Sequence, residues 1–378
     1  METMELYIHI PFCVKKCSYC DFLSFPQGEE VKRQYVDKLL EEIKIVSGGY
    51  ADRQVSSIFV GGGTPSVLPG AWMEEIFAYL RKYFNIEETA EISVEANPGT
   101  VSEEKLGAYK RAGINRLSLG LQSSNDRELM ELGRIHTYGE FLESFRLARA
   151  AGFQNINVDL MCALPGQTVE SFMETLEKTA NLNPEHISAY SLIVEEGTPF
   201  YEMYGEGKGA CLLPDEEEER QMYHKTREFL KSRGYERYEI SNYAKRGKEC
   251  RHNVGYWTGV SYLGLGLGAS SYVNGIRFRN ERDLKKYLNE MPGKRLDEEI
   301  LTPKDMQEEF FFVGLRMVCG VSLKQFEETF GVTAEAVYPG LMERFVREGA
   351  ALLEGGRFKL TEYGMDVSNY IMEKFLQG

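Results

Sequence analysis

The chain of 378 residues lacks a membrane span: no apolar run approaches the roughly 18 residues that crossing a bilayer as a helix requires. No signal-peptide core precedes its first apolar segment either. Both absences point to a cytoplasmic protein without a transmembrane segment, with peripheral membrane contact left open. An excess of basic charge is missing as well. The 44 Lys and Arg face 58 Asp and Glu, a net charge of −14, whereas nonspecific nucleic-acid binding needs basic patches that neutralise phosphates. Nucleic acid is therefore not an expected partner. Part of the acidity is local: Asp215 and Glu216 to Glu219 form one block that reads as a helix start, where negative charge suits the helix dipole. Cysteines number only seven, and in a chain of this character they do not read as disulfides.

Three of the seven stand within eight residues, Cys13-Val-Lys-Lys-Cys17-Ser-Tyr19-Cys20. Three thiolates can hold three corners of a [4Fe–4S] cluster and leave its fourth iron open. An open coordination position is what a catalytic metal site keeps and a structural site fills. Such an iron can bind the amino and carboxylate groups of S-adenosylmethionine (SAM) and pass an electron to the sulfonium, releasing a 5′-deoxyadenosyl radical. The C-x3-C-x2-C spacing, with an aromatic residue before the last cysteine, resembles the signature of the radical SAM superfamily. A zinc site completed by His9 or Asp21 is the alternative, but the spacing is not one of the usual zinc patterns. Cys162, Cys211, Cys250 and Cys319 are scattered and read mostly as small core residues.

Length predicts two domains and a third small module. Residues 1–200 read as a barrel, 201–300 as a segment extending it, and 301–378 as a C-terminal module. In the first part, apolar runs at Leu6–Ile10, Ser57–Val60, Glu91–Glu95, Arg116–Leu121, Asn155–Leu160 and His186–Ile193 predict strands. Helical periodicity fills the intervals at Val31–Val46, Ala71–Tyr83, Ser102–Ala112, Tyr138–Ala151 and Thr168–Leu182, with capping glycines expected at Gly113 and Gly152. Apolar strands alternating with helices predict a parallel sheet buried on both faces. Six such units make an α/β fold, an incomplete (β/α)6 relative of the TIM barrel, whose chemistry belongs at the carboxyl ends of the strands. The cysteines follow strand one at that edge. So do Gly61-Gly62-Gly63-Thr64, where consecutive glycines allow close approach to a ligand, then Glu95, Gln122 and Arg134, with Asp159 inside strand five. Each could be a satisfied core group; around one rim they read as partners for the polar groups of SAM.

The successive blocks Tyr7-Ile-His-Ile-Pro-Phe-Cys13, Gly61-Gly-Gly-Thr-Pro, Glu95-Ala-Asn-Pro, Ser118-Leu-Gly-Leu-Gln122-Ser, Asn157-Val-Asp159-Leu-Met and Leu164-Pro-Gly-Gln-Thr resemble the HemW/HemN group of radical SAM proteins, and within it the HemW-type heme chaperones most closely. The resemblance spans essentially the whole chain. It implies cluster ligation by Cys13, Cys17 and Cys20, and SAM contacts from Tyr7, Tyr19, Gly62, Gly63, Thr64, Glu95, Gln122, Arg134 and Asp159. The oxygen-independent coproporphyrinogen oxidases of the group carry a further cysteine two residues after the third, where this chain has Phe22. That departure puts porphyrin decarboxylation in doubt and leaves open whether the protein is an enzyme.

Beyond residue 200 the sequence predicts a charged helix over Asp215–Gly234, an aromatic strand over Tyr235–Tyr243, and the block His252-Asn-Val-Gly-Tyr256-Trp257. His252 beside two large aromatics could ligate a heme iron axially, or could simply hold a loop by hydrogen bonds. HNxxYW resembles the block associated with heme handling in HemW-type proteins, which implies heme as a third ligand and a heme-acceptor apoprotein as partner. Gly264-Leu-Gly-Leu-Gly268 only superficially resembles a phosphate loop and reads as backbone packed near the barrel mouth. Helices at Met306–Val318, Leu323–Phe330, Ala334–Glu348 and Tyr363–Leu376, with a hairpin turning at Gly355-Gly356, resemble a winged-helix module without a basic stripe, expected to act as a lid or docking element. Two functions compete: a heme chaperone, and an oxygen-independent coproporphyrinogen III dehydrogenase.

Overall fold

The structure, a computed structural model, describes residues 2–205 and 207–376. Its centre is six parallel strands in sequence order, β1 (Glu2–Ile10), β2 (Arg53–Gly62), β3 (Asn85–Ala96), β4 (Arg116–Gln122), β5 (Ile156–Cys162) and β6 (His186–Ser191). Helices at Glu29–Val46, Gly70–Tyr83, Glu103–Arg111, Tyr138–Ala150 and Val169–Asn181 return the chain between them. The helix ends follow the local signals. Thr137 caps its helix in a reciprocal box with Glu140, and Gly113 and Gly152 take positive φ just past their helices, as left-handed C-cap residues do.

The strands are buried on both faces, but the two faces differ in chemistry. Met4, Leu6, Ile8 and Ile10 of β1, Ile58 and Val60 of β2, and Leu117, Leu119 and Leu121 of β4 face the helices in one apolar core. The alternate residues point inward and are polar: Glu5 and His9, Ser57, Glu91 and Ser93, Arg116 and Ser118, Asn157, His186 and Ser188 are all buried. Side chains alternate along a strand, so the apolar runs in the sequence are half the story. The lumen is a hydrogen-bonded polar interior.

The sheet does not stop at six strands. Residues 201–300 extend it on both sides into twelve strands. Beyond β6 lie β7 (Glu236–Arg237) and β8 (Asn242–Ala244), a short antiparallel hairpin where the sequence predicted one aromatic strand. Its two strands are separated by Glu239, which accepts from the Ser241 N–H at 2.7 Å and the Asn242 amide at 2.6 Å, and an Asx-like turn of this kind interrupts a strand. Beside β1 runs β9 (Ser261–Leu265), in parallel, followed by β10 (Ser270–Val273), β11 (Ile276–Arg279) and β12 (Leu296–Ile300). Gly266, at φ 98°, fits where a Cβ would lie 2.5 Å from the Tyr35 hydroxyl, so this glycine run is a close packing of backbone, as expected, with no capped helix after it.

From Pro303 the chain builds a second apolar core around Phe311, Phe326, Phe345, Phe358 and Phe375. Its helices are Pro303–Gly314, Leu323–Phe330, Ala334–Val337, Leu341–Arg347, Glu362–Asp366 and Ser368–Glu373. The single helix predicted over Ala334–Glu348 is broken at Pro339-Gly340, where proline lacks the N–H that continuation needs and Gly340 turns to φ 69°. The wing is three-stranded: β13 (Val321–Ser322), β14 (Ala351–Glu354) and β15 (Arg357–Leu360).

One buried acid gives a testable consequence. Glu42 is 1 % exposed and accepts hydrogen bonds from the Gly266 N–H and the Asn280 amide. Burial raises its pKa to about 7 despite those bonds, and burial raises Glu5 to about 8. The native state therefore holds protons that the unfolded chain has already released above pH 4.5. Stability from these groups is full below that pH and is lost as pH rises through about 7 and 8. Urea midpoints should fall between pH 5 and pH 8, and Glu42→Gln should flatten that slope; an identical slope in the variant contradicts the assignment.

Candidate cofactor site at the barrel mouth

The cysteine loop leaves β1 at Pro11, whose carbonyl accepts the Phe25 N–H at 3.0 Å, while the Cys13 N–H reaches the Phe25 carbonyl at 3.2 Å. These bonds close the neck of a loop containing all three cysteines. Its tip is tied down by the Ser18 N–H to the Leu132 carbonyl and by the Phe200 N–H to the Ser18 carbonyl, both at 3.0 Å. Cys13 is buried; Cys17 and Cys20 are partly exposed. Burial is the leading cause of a raised Cys20 pKa. Among the described residues no three His, Cys, Asp or Glu side chains converge as the ligands of one ion would.

Loops after β2, β3 and β4 meet the cysteines. Thr64 donates its hydroxyl to the Cys13 sulfur at 3.4 Å. Asn97 donates to Thr64 Oγ1 at 2.8 Å and accepts from Arg134 Nη2 at 2.8 Å. Arg134 reaches the Gly120 carbonyl at 2.6 Å and the Cys17 sulfur at 3.6 Å. A Cβ at Gly120 would lie 3.0–3.2 Å from Gln122 Nε2, Asn97 Oδ1 and Arg134 Nη2, so this glycine admits the three polar groups to one point. Gln122 itself sits at φ 70°, a strained left-handed conformation for a residue of its type.

Other expected SAM residues lie nearby in different settings. Glu95 takes the Gly62 N–H at 3.2 Å, and burial, then the charge of Asp159, raises its pKa to about 8. Asp159 is held within the lumen by the Ser118 hydroxyl at 2.9 Å and the Asn157 amide at 2.7 Å. Tyr7 hydrogen-bonds His9 Nδ1 at 3.0 Å, and Tyr19 packs against Phe200. The glycines have an additional reason to be glycine. A Cβ on Gly62 would lie 2.3 Å from the His9 ring, and one on Gly63 2.7 Å from the Phe12 carbonyl. Close packing of β2 on β1 requires them before any ligand is considered.

A cluster and SAM fit this rim on an independent ground. Arg134 Nε is buried without a hydrogen bond, in a small pocket lined by Cys17, Thr64, Asn97 and His136. Buried polar groups in native proteins are normally satisfied, and an unpaired guanidinium N–H beside the cysteines calls for an acceptor the protein itself does not supply. Neither Asn97 nor His136 was singled out in the sequence. Asn97 follows Glu95 by two residues at the end of β3, and its place at a strand's carboxyl edge was the available signal.

A cavity of about 770 Å3 opens beside the rim. Tyr7, His9, Gly62 and Glu95 line its barrel end, Tyr256, Trp257 and Tyr262 one wall, and Phe310, Val313 and Phe330 of the C-terminal module the other. Phe22, 63 % exposed, faces the same space.

His252, expected as a candidate heme ligand, lies apart from the cavity. It lies on the helix Arg251–Trp257, 1 % exposed, and does not line the cavity. Its Nδ1 is paired with Ser57 Oγ at 2.8 Å and its Nε2 with Tyr256 Oη at 3.0 Å. The ring stacks on Phe59 at 5.3 Å. Burial drives its pKa down to about 3, so the 3.5 Å approach to Glu5, an acid itself raised to about 8, joins two neutral groups and is no ion pair. Both nitrogens of this imidazole are engaged by hydroxyls inside the barrel. The alternative reading, hydrogen bonds that hold the segment, is what this structure contains.

The cysteine loop at the carboxyl edge of a six-unit parallel barrel, with a rim of polar side chains, defines a protein of the radical SAM class. Residues 7–179 match the radical SAM superfamily and residues 301–367 the HemN C-terminal domain. "Heme chaperone HemW" of Lactococcus lactis subsp. lactis (strain IL1403) is 36% identical over 371 residues, covering 98% of this chain and 96% of that one. "Heme chaperone HemW" of Escherichia coli (strain K12) is 35% identical over 383 residues, covering 100% and 99%. The solved coproporphyrinogen III oxidase HemN of Escherichia coli superposes with a TM-score of 0.87 at 26% identity, covering 100% of this chain and 90% of that one. The chain belongs to the HemW family of radical SAM proteins. Among the described residues no helix is long and apolar enough to cross a membrane.

Proposed function

We propose that the protein is a heme chaperone that binds heme, a [4Fe–4S] cluster and SAM and transfers heme to an acceptor apoprotein. The cavity carries this reading. It falls in the 300–1,000 Å3 range of small-molecule sites, and its aromatic walls suit a flat apolar macrocycle. Its full-length relatives carry the name heme chaperone. In this reading Cys13, Cys17 and Cys20 hold the cluster, and Tyr7, Tyr19, Gly62, Gly63, Thr64, Glu95, Gln122, Arg134 and Asp159 surround SAM. The open iron supplies one-electron chemistry at the sulfonium when both are bound. Residues 1–200 act as the cofactor barrel, 201–300 complete it, and 301–378 cover the heme. The close fold of the oxidase HemN favours a second reading, coproporphyrinogen III oxidation, against which Phe22 stands in place of a cysteine.

The cavity assignment is tested by Val313→Trp, which places an indole between the two walls. Heme affinity should fall at least tenfold by absorbance titration, while iron and sulfide content stay unchanged. Unaltered heme affinity puts the heme elsewhere.

A further inference from the structure

The three-residue connection between Cys13 and Cys17, through Thr64, Asn97 and Arg134, has a direction. Arginine carries donors and no acceptor, so the Asn97 side chain must turn its oxygen to Arg134. Its amide NH2 then faces Thr64 Oγ1 and occupies a lone pair of that hydroxyl. The hydroxyl proton of Thr64 is left for the Cys13 sulfur, and Arg134 Nη1 donates to the Cys17 sulfur from the other end. Asn97 is itself fixed: its N–H reaches Ser66 Oγ at 3.1 Å, and its carbonyl accepts from the Thr100 hydroxyl at 2.6 Å. One anchored amide thus orients donors toward two of the three thiolates.

From this geometry we infer that Asn97 is a positioning residue that holds up the reduction potential of the [4Fe–4S] cluster, acting through Thr64 and Arg134 without touching the cluster. Hydrogen bonds to cluster sulfurs withdraw charge and stabilise the reduced state. Losing them makes reduction harder. The inference rests on Cys13, Cys17 and Cys20 as cluster ligands, and the two fail differently: wrong ligands appear as cluster retained in cysteine variants, a wrong role for Asn97 as an unmoved potential.

The test is a redox titration monitored by electron paramagnetic resonance, on reconstituted full-length protein without SAM. Asn97→Leu, nearly the same size but unable to bond either partner, should keep its iron and sulfide and shift the midpoint to a more negative potential. Thr64→Val should shift it in the same direction by less, because the Arg134 branch survives, and Thr64→Ser should restore it. The Asn97→Leu/Thr64→Val double variant should titrate with Asn97→Leu alone. If Asn97→Leu does not assemble a cluster, Asn97→Ser, too short to bridge both partners, carries the same expectation. A wild-type midpoint in an Asn97 variant with full cluster content overturns the inference, as does a double variant in which the two shifts add.

Discussion

Cys17→Ala protein, reconstituted anaerobically with iron and sulfide, should lack the visible charge-transfer absorption of a [4Fe–4S] cluster and most of its bound iron. The loop offers thiolates at three places only, and thiolate is the ligand such clusters use. Cys162 and Cys250 are buried, Cys162 against the Tyr190 carbonyl and Ser191 and Cys250 against Glu91, with the Cys250 thiol pKa pushed up to about 12 by burial. The fold should survive, since Cys17 is partly exposed and the loop neck is closed by backbone bonds between Pro11, Cys13 and Phe25. SAM binding should fall with the cluster, because the open iron is where its amino and carboxylate groups would attach. Iron and sulfide analysis alongside far-ultraviolet circular dichroism checks both parts. Full iron content in the folded variant contradicts the ligand assignment.

His252→Ala should act on stability first. It removes one partner from each of the Ser57 and Tyr256 hydroxyls and empties a ring-sized space against Phe59. Emptying a large buried site costs about 3–5 kcal/mol. A loss of that size should lower the urea midpoint clearly, and any weakening of heme binding should follow from it, through Tyr256, which lines the cavity. The decisive comparison is the unfolding midpoint against the Soret band of heme-loaded protein. An unchanged midpoint with the Soret band shifted or lost would return His252 to the iron.

Much of the fold was legible. Alternating apolar runs and amphipathic segments located all six central strands and five of the six helices between them, missing the short Asp126–Glu131, and glycines at 113 and 152 marked real turns. The lumen was not legible, because apolar residues alternating with Ser57, Ser93, Ser118 and Ser188 read as strands with one face in water, and only closure of the barrel buries that polar face. Residue spacing around Cys13, Cys17 and Cys20 pointed to a cluster site, since ligand spacing is local chemistry. The joining of Thr64, Asn97 and Arg134 depends on three strands brought side by side, which spacing does not encode. The surroundings of His252 were hidden for the same reason: a histidine next to tyrosine and tryptophan in sequence says nothing of Ser57, which sits 195 residues earlier and hydrogen-bonds its Nδ1.

The central claim, heme handling in place of porphyrin oxidation, is tested most directly by one paired measurement on reconstituted wild-type protein. One sample is titrated with heme; the other is given coproporphyrinogen III, SAM and a low-potential reductant, and its products are separated. Saturable heme binding with coproporphyrinogen III recovered unchanged is the predicted result. Conversion of coproporphyrinogen III to protoporphyrinogen IX, with SAM consumed in proportion, would contradict it.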